Sequence, residues 1–318
     1  MPTLLLAAGF LVLAPTVAPF FFLAPTVVLL LLSGPRTLRE WIWIGLGVAI
    51  LGALLRLPVT LPEQTMRAAA AFFTGAYVVA ALGGGIGSLL TRTLVAIGVA
   101  ATATIGWFLK LGLAFRDLES VVVTSTWNGW RTLFPSFALP ETPVTHTEVL
   151  VGGSPSASEA ATELVRELSR ATTAMGELYP AMLAIYALLG GWLAWVWYHR
   201  VARRPIGTRP PAFRTFRFSD HFIWALVVLG ALVLVDLPRG AEVVVRNLLL
   251  VVAVLYAGRG FAVLRTAMIP APRLFVVLLC LAAVPVLALV PLGCAVLGVA
   301  DTWLDLRRRV PPPQGVAP

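Results

Sequence analysis

Residues Met1–Pro35 read MPTLLLAAGFLVLAPTVAPFFFLAPTVVLLLLSGP, and the first charged side chain in the chain is Arg36. Uncharged runs recur at 41–55, 68–91, 93–109, 178–198, 222–235 and 274–300. A helix crosses about 30 Å of hydrocarbon with about 20 such residues. Closed barrels, the other spanning structure, show short alternating segments, whereas these runs are long and continuous. The sequence therefore predicts an all-α fold, a polytopic transmembrane helical bundle.

Composition agrees. The chain is 59% hydrophobic and 12% charged, about half the charged fraction of a soluble domain. The net charge of +9 comes from arginines and one lysine, Lys110. In a membrane protein such charge reports topology and attraction to anionic headgroups. No interleaving of aromatic and basic residues indicates nucleic acid. The two cysteines, Cys280 and Cys294, would lie about 21 Å apart on one helix and read as small packing residues.

The first run holds a repeat, Leu13-Ala14-Pro15-Thr16-Val17 and Leu23-Ala24-Pro25-Thr26-Val27, with Pro19 between. The prolines favour a helix, a break near residues 15–19 and a second short helix, with a single kinked helix as the alternative. The run lacks a basic leader and a clear cleavage site, so it is expected to stay. Spans at about 41–55, 68–91 and 93–114 follow.

Residues 116–177 are rich in acids, Ser, Thr and Pro. They predict an extracytoplasmic insertion, its first half loop and its second half amphipathic helix. Ser156 and Glu159 have capping-box spacing, and Leu164, Leu168, Ala171, Met175 and Leu178 recur at helical spacing. Pro180 would kink the entry to the next span. After that span, Arg200, Arg203, Arg204, Arg209, Arg214 and Arg217 oppose one acid, Asp220. By the positive-inside rule the loop 199–219 is cytoplasmic and 116–177 lies outside. Spans at about 220–236 and 243–264 and one tilted helix over 274–300 complete eight or nine crossings. The whole reads as one integral membrane domain over 1–318, multi-pass in a cell inner membrane.

No HExxH, GxSxG or Walker motif is present. The histidines are scattered, so neither catalysis nor a metal or cofactor is expected. Gly83-Gly84-Gly85-Ile86-Gly87 places a GxxxG within a predicted span, which is either helix packing or, through Gly84 and Gly87, an unwound cavity wall. The 243–264 span is the most polar. Arg246 and Arg259, about 20 Å apart along the axis, would each snorkel to an interface or, with Gly260, line a ligand site. Asn247 would bond another helix or face a cavity. Glu242 and Asp236 could pair with Arg239 or Arg246. Lys110 and most tryptophans fall near span ends, where an aromatic belt sits. At the C-terminal end, Asp301 and Asp305 share a face at i,i+4. Asp305 can pair with Arg309 and Asp301 with Arg308 or a distant arginine. With Arg307 they read either as a solvated helix end or as a docking surface or latch.

The motifs Arg246-Asn247-Leu248-Leu249, Tyr256-x-x-Arg259-Gly260-Phe261-x-Val263 and Gly298-x-x-Asp301-x-x-x-Asp305-Leu306-Arg307 together resemble the YybS family of predicted bacterial membrane proteins. The likeness is best over about 178–309. The family's layout is similar to S-components of energy-coupling-factor transporters. The resemblance therefore implies a solute-binding subunit, with Asn247 and its polar neighbours facing the glycines, and with other membrane or cytoplasmic subunits supplying energy. The second possibility is a scaffold that docks a cytoplasmic partner or anionic lipid. The lipid bilayer is the expected partner throughout.

Overall fold

The computed structural model describes residues 10, 17–83, 87–134, 140–141, 143, 155–210, 213, 216–268 and 289–309, without the side chains of 155–162 and 308–309. The described residues are helical and include no strand. The helices are α1 Ala18–Leu32, α2 Leu38–Leu55, α3 Leu61–Leu82, α4 Leu89–Leu111, α5 Phe115–Leu133, α6 Pro155–Glu177, α7 Tyr179–Val201, α8 Phe222–Val233, α9 Arg239–Ala267 and α10 Val290–Leu304, with a 3-10 turn at Leu306–Arg309. Five of them, α2, α3, α4, α7 and α9, are long and apolar enough to cross a membrane. α1, α8 and α10 are apolar but shorter. The chain divides into two compact units, Met1–Thr208 and Arg209–Pro318.

In the first unit α1 is the central element. It packs on α2, α3 and α7, and Phe20–Leu23, Val27, Leu29 and Leu30 are buried. Pro19 stands in its first turn, where the missing N–H costs no helical bond. Whether a helix breaks before this start falls on residues 11–16, Pro15 among them, which lie outside the described residues. α7 approaches α1 on bare backbone: a Cβ at Gly190 would lie 2.6 Å from the Phe21 carbonyl oxygen. Beside it, the buried Tyr77 hydroxyl of α3 donates to the Gly191 carbonyl at 2.7 Å. By contrast the apolar window of α4 is 11% buried, with Val95, Val99, Ile105 and Leu109 facing outward. Such a face is covered favourably by lipid or by another apolar helix.

The most constrained polar group of this unit is Glu40, whose side chain sequence reasoning did not single out. Thr37-Leu38-Arg39-Glu40 is a capping box: Glu40 Oε2 accepts from the Thr37 N–H at 2.8 Å and the Arg36 N–H at 2.9 Å. The spacing was there to be read. Its other oxygen accepts from the Arg203 N–H at 2.8 Å, which ties the start of α2 to the chain leaving α7. Glu40 is 3% exposed. Replacing it with Ala strands buried amide donors and is expected to cost about 3 kcal/mol. The measurement is the unfolding free energy of the purified protein in detergent; a loss below about 1 kcal/mol would mean that the amides find other acceptors.

Several expectations are corrected. Residues 115–133 form a helix, not a loop. Leu118, Val122 and Trp127 are its buried face, Asp117 caps the Ala114 N–H at 2.8 Å, and its Ser/Thr content concealed that seam. α6 is helical as expected, but its buried seam is Val165, Ser169 and Thr172, continued by Gly176, and Ala171 and Met175 face outward. The reason is close approach: a Cβ at Gly176 would meet Val123 of α5 at 2.8 Å. The side chains of Ser156 and Glu159 lie outside the described residues. Trp195 and Trp197 are core, not belt, at 2% and 5% exposed, with Trp197 edge-on to Trp43. Gly83 ends α3 and Gly87 precedes α4, so the glycine stretch joins two helices rather than lying within one. Gly84, and Cys280 with all of 274–288, lie outside the described residues. The expected helix over 274–300 is seen only as α10, which begins at Val290 with Pro291 in its first turn.

Candidate functional site

The second unit is organised by the crossing of α9 and α10. A Cβ on Gly260 would lie 1.7 Å from the Cys294 carbonyl oxygen, and one on Gly298 would lie 2.0 Å from the Tyr256 carbonyl oxygen. Two helix backbones touch here, which only glycine permits. Buried Cys294 is part of this contact. Tyr256, one turn before Gly260, is fully buried and meets Phe218 edge-on at 5.2 Å.

The crossing carries Arg259 inward. Its side chain has no solvent exposure. Nε donates to Asp301 Oδ2 at 2.9 Å, Nη2 to the Asp301 carbonyl at 3.3 Å and Nη1 to Asp220 Oδ1 at 2.8 Å, while the guanidinium lies over the Phe218 ring. Arg307 Nη2 also donates to Asp301 Oδ2, at 3.1 Å, and its Nη1 to the Phe216 carbonyl at 2.8 Å. Farther out, Arg217 stands 3.7 Å from both Asp220 and Asp305. Three arginines thus face three aspartates, a charge-balanced network whose centre is buried. Balance is what makes ionised groups tolerable at such a place. The outer pairs are exposed and contribute little.

Arg259 therefore does not snorkel. It is paired with a residue 42 positions away. Arg246 does reach outward and pairs with Glu242 across one turn, one of the partners expected. Asn247 is buried, and its amide donates to the Val243 carbonyl of its own helix at 2.8 Å. Gly87 belongs to the other unit, and it is exposed. Asp301 finds the distant arginine that its sequence context allowed. Asp305 does not extend the α10 face: it ends the helix at φ 41° and stands near Arg217. The side chains of Arg308 and Arg309 lie outside the described residues. Among the described residues no three His, Cys, Asp or Glu gather as a metal would require.

Two atoms define what the arrangement can do. Asp301 Oδ2 serves two arginines. Asp301 Oδ1, in a side chain 2% exposed, accepts no hydrogen bond among the described residues. A buried carboxylate oxygen with its lone pairs open is costly. The network holds that oxygen in place.

Asp220, at the edge, is half exposed. The hydrogen bond from Arg259 holds its carboxyl below the ordinary value of 3.8, against the opposing effect of burial. A carboxyl depressed in the folded state stabilises fully above its unfolded pKa and loses that contribution as pH falls through the folded one. Asp220→Asn should therefore flatten the acid limb of thermal stability below about pH 4 and leave its shape at neutral pH unchanged. An unchanged acid limb would show that Arg259 does not perturb Asp220.

A family model described as a predicted membrane protein (DUF2232) matches residues 2–302. The likeness read from the Tyr256–Val263 and Gly298–Arg307 motifs thus extends over nearly the whole chain, beyond the 178–309 expected. No curated protein matches, and no solved structure does.

Proposed function

The chain belongs to this DUF2232 family of predicted membrane proteins, and from that premise we propose that it is a solute-binding, transport-related subunit of a bacterial inner membrane. The observation that supports the reading is the open Oδ1 of Asp301, buried at the α9–α10 crossing. Ionisable groups inside a membrane bundle mark solute and ion paths more often than they serve stability alone. In this reading Asp301 is the acceptor for a polar or cationic solute, and Arg259 and Arg307 position it. Asn247 and the glycines of 83–87, which the sequence suggested as a cavity, are secondary: the amide is engaged by its own helix. No catalytic step is assigned. The chain carries no nucleotide-binding motif, so partner subunits supply the energy.

The arginine-rich stretch after α7 takes the cytoplasmic side and 116–177 the outer side. The five long helices cross the bilayer, and the shorter apolar ones bring the crossings to eight or nine.

The test is purification from the native host in mild detergent. The reading expects a coupling or ATPase subunit to copurify, and a small-solute panel to include one that raises Tm. Recovering neither would overturn it. The scaffold alternative draws on the exposed arginines of the first unit; the Asp301–Arg307 segment is engaged internally.

A further inference from the structure

The first unit gathers five arginines that the sequence scatters over 170 residues. Glu40 is the pin. Its two oxygens hold the backbone amides of residues 36 and 203, so the turn before α2 and the chain leaving α7 meet at one carboxylate. Arg39 adds a second tie, donating from Nη2 to the Arg200 carbonyl at 3.2 Å. Arg36, Arg39, Arg200, Arg203 and Arg204 therefore stand together, and all five are exposed. Glu40 is itself buried beneath them and is occupied by backbone donors. Among these residues five arginines stand against one carboxylate, held by the main-chain bonds to Glu40 and by the side-chain bond from Arg39.

Its position identifies the partner. α2 begins and α7 ends at the collar, and both are long apolar helices suited to crossing a membrane. The collar thus lies where such helices leave hydrocarbon. Leu38 and Trp41, on the first turn of α2, are 76% and 54% exposed, and Arg200 lies 5.8 Å over the Trp197 ring. Exposed apolar and indole surface directly below clustered guanidinium groups matches the two halves of a phospholipid at an interface. An acidic protein surface would supply the charge but not acyl chains for Leu38. Guanidinium also binds phosphate oxygens bidentately, which favours a phosphodiester over a point charge.

We infer that the Arg36–Arg39 turn and the Arg200–Arg204 segment form a headgroup site for anionic phospholipid, preassembled by Glu40. The site is independent of the Asp301 reading.

The test uses the full chain in neutral-detergent micelles doped with phosphatidylglycerol or phosphatidylcholine, with bound lipid counted by native mass spectrometry and Tm recorded. Phosphatidylglycerol should be retained and should raise Tm; phosphatidylcholine should do neither. The triple substitution Arg36→Gln, Arg203→Gln, Arg204→Gln spares both the backbone amides on Glu40 and the Arg39 bond to the Arg200 carbonyl. At about fivefold per arginine it should weaken phosphatidylglycerol binding by about a hundredfold. The corresponding Lys variant keeps the charge without the bidentate geometry and should fall between the unaltered protein and the Gln variant, and Arg166→Gln with Arg170→Gln on α6 should change nothing. The inference is overturned if the triple Gln variant binds like the unaltered protein, if the α6 control loses as much, or if phosphatidylcholine is held equally. It is also overturned if soluble poly-glutamate displaces phosphatidylglycerol at lower concentration than a water-soluble short-chain phosphatidylglycerol does.

Discussion

Gly260→Ala is expected to lower the stability of the Arg209–Pro318 unit by about 3 kcal/mol or more, while Gly258→Ala, two residues earlier on the same helix, raises it by up to about 1 kcal/mol. The two substitutions add the same methyl group. At Gly258 that methyl would meet only the edge of Phe216, at 3.7 Å, an ordinary contact. It would then gain the usual helical advantage of Ala over Gly. At Gly260 it would fall 1.7 Å from the Cys294 carbonyl oxygen. That oxygen belongs to a helix backbone and cannot rotate away, so α10 must withdraw. Withdrawal also draws Asp301 from Arg259. Gly298→Ala, facing the Tyr256 carbonyl, should behave like Gly260→Ala. Gly293→Ala, which would meet no described atom within 4 Å, should behave like Gly258→Ala. Unfolding in mixed SDS and nonionic-detergent micelles reads all four. Equal effects at 258 and 260 would mean that the α9–α10 backbones do not touch.

Arg259→Met and Asp301→Leu are each expected to cost about 3–5 kcal/mol. Each takes a counter-charge from a partner that is buried. Arg259→Met leaves Asp301 with Arg307 alone. Asp301→Leu leaves Arg259 with Asp220, which is half exposed. The double variant removes both charges and should be less harmed than the sum of the single variants, because no isolated charge remains at the centre. Arg217→Gln touches only the 3.7 Å outer pairs and should stay within about 1 kcal/mol.

What the sequence yields and what it withholds follow from the range of each force. Hydrocarbon imposes its demand on every residue of a run, so α2, α3, α4 and α7 show through their uncharged stretches, and α9 through an apolar one interrupted by Arg246 and Arg259, without any knowledge of packing. Local spacing also gave the Arg246–Glu242 pair, which spans one turn. Arg259 could not be placed that way. Its position along α9 fits a snorkelling residue, and its actual partner lies on another helix 42 residues on. Asp301 and Asp305 look equivalent by helical spacing; the left-handed backbone at Asp305 separates them. Trp195 and Trp197 stand near the end of a run, as belt residues do. They are buried because α7 is covered on several sides, a property of its neighbours. The glycines of 83–87 merge into a span by composition because no charge marks the connection. Glu40 was legible as a capping box in Thr37-Leu38-Arg39-Glu40, whereas its bond to residue 203 was not, since nothing local links residues 163 positions apart.

The motif residues Tyr256, Arg259, Gly260, Gly298, Asp301 and Arg307 thus acquire a common physical reason. The glycines let two backbones touch, the contact brings Arg259 under Asp301, and Arg307 fastens the chain end to the same carboxylate. The most direct measurement is a double-mutant cycle between Arg259→Met and Asp301→Leu on reversible unfolding in mixed micelles. A buried, mutually dependent pair predicts a coupling energy of at least about 2 kcal/mol. Single-variant losses that add to within about 0.5 kcal/mol would contradict it.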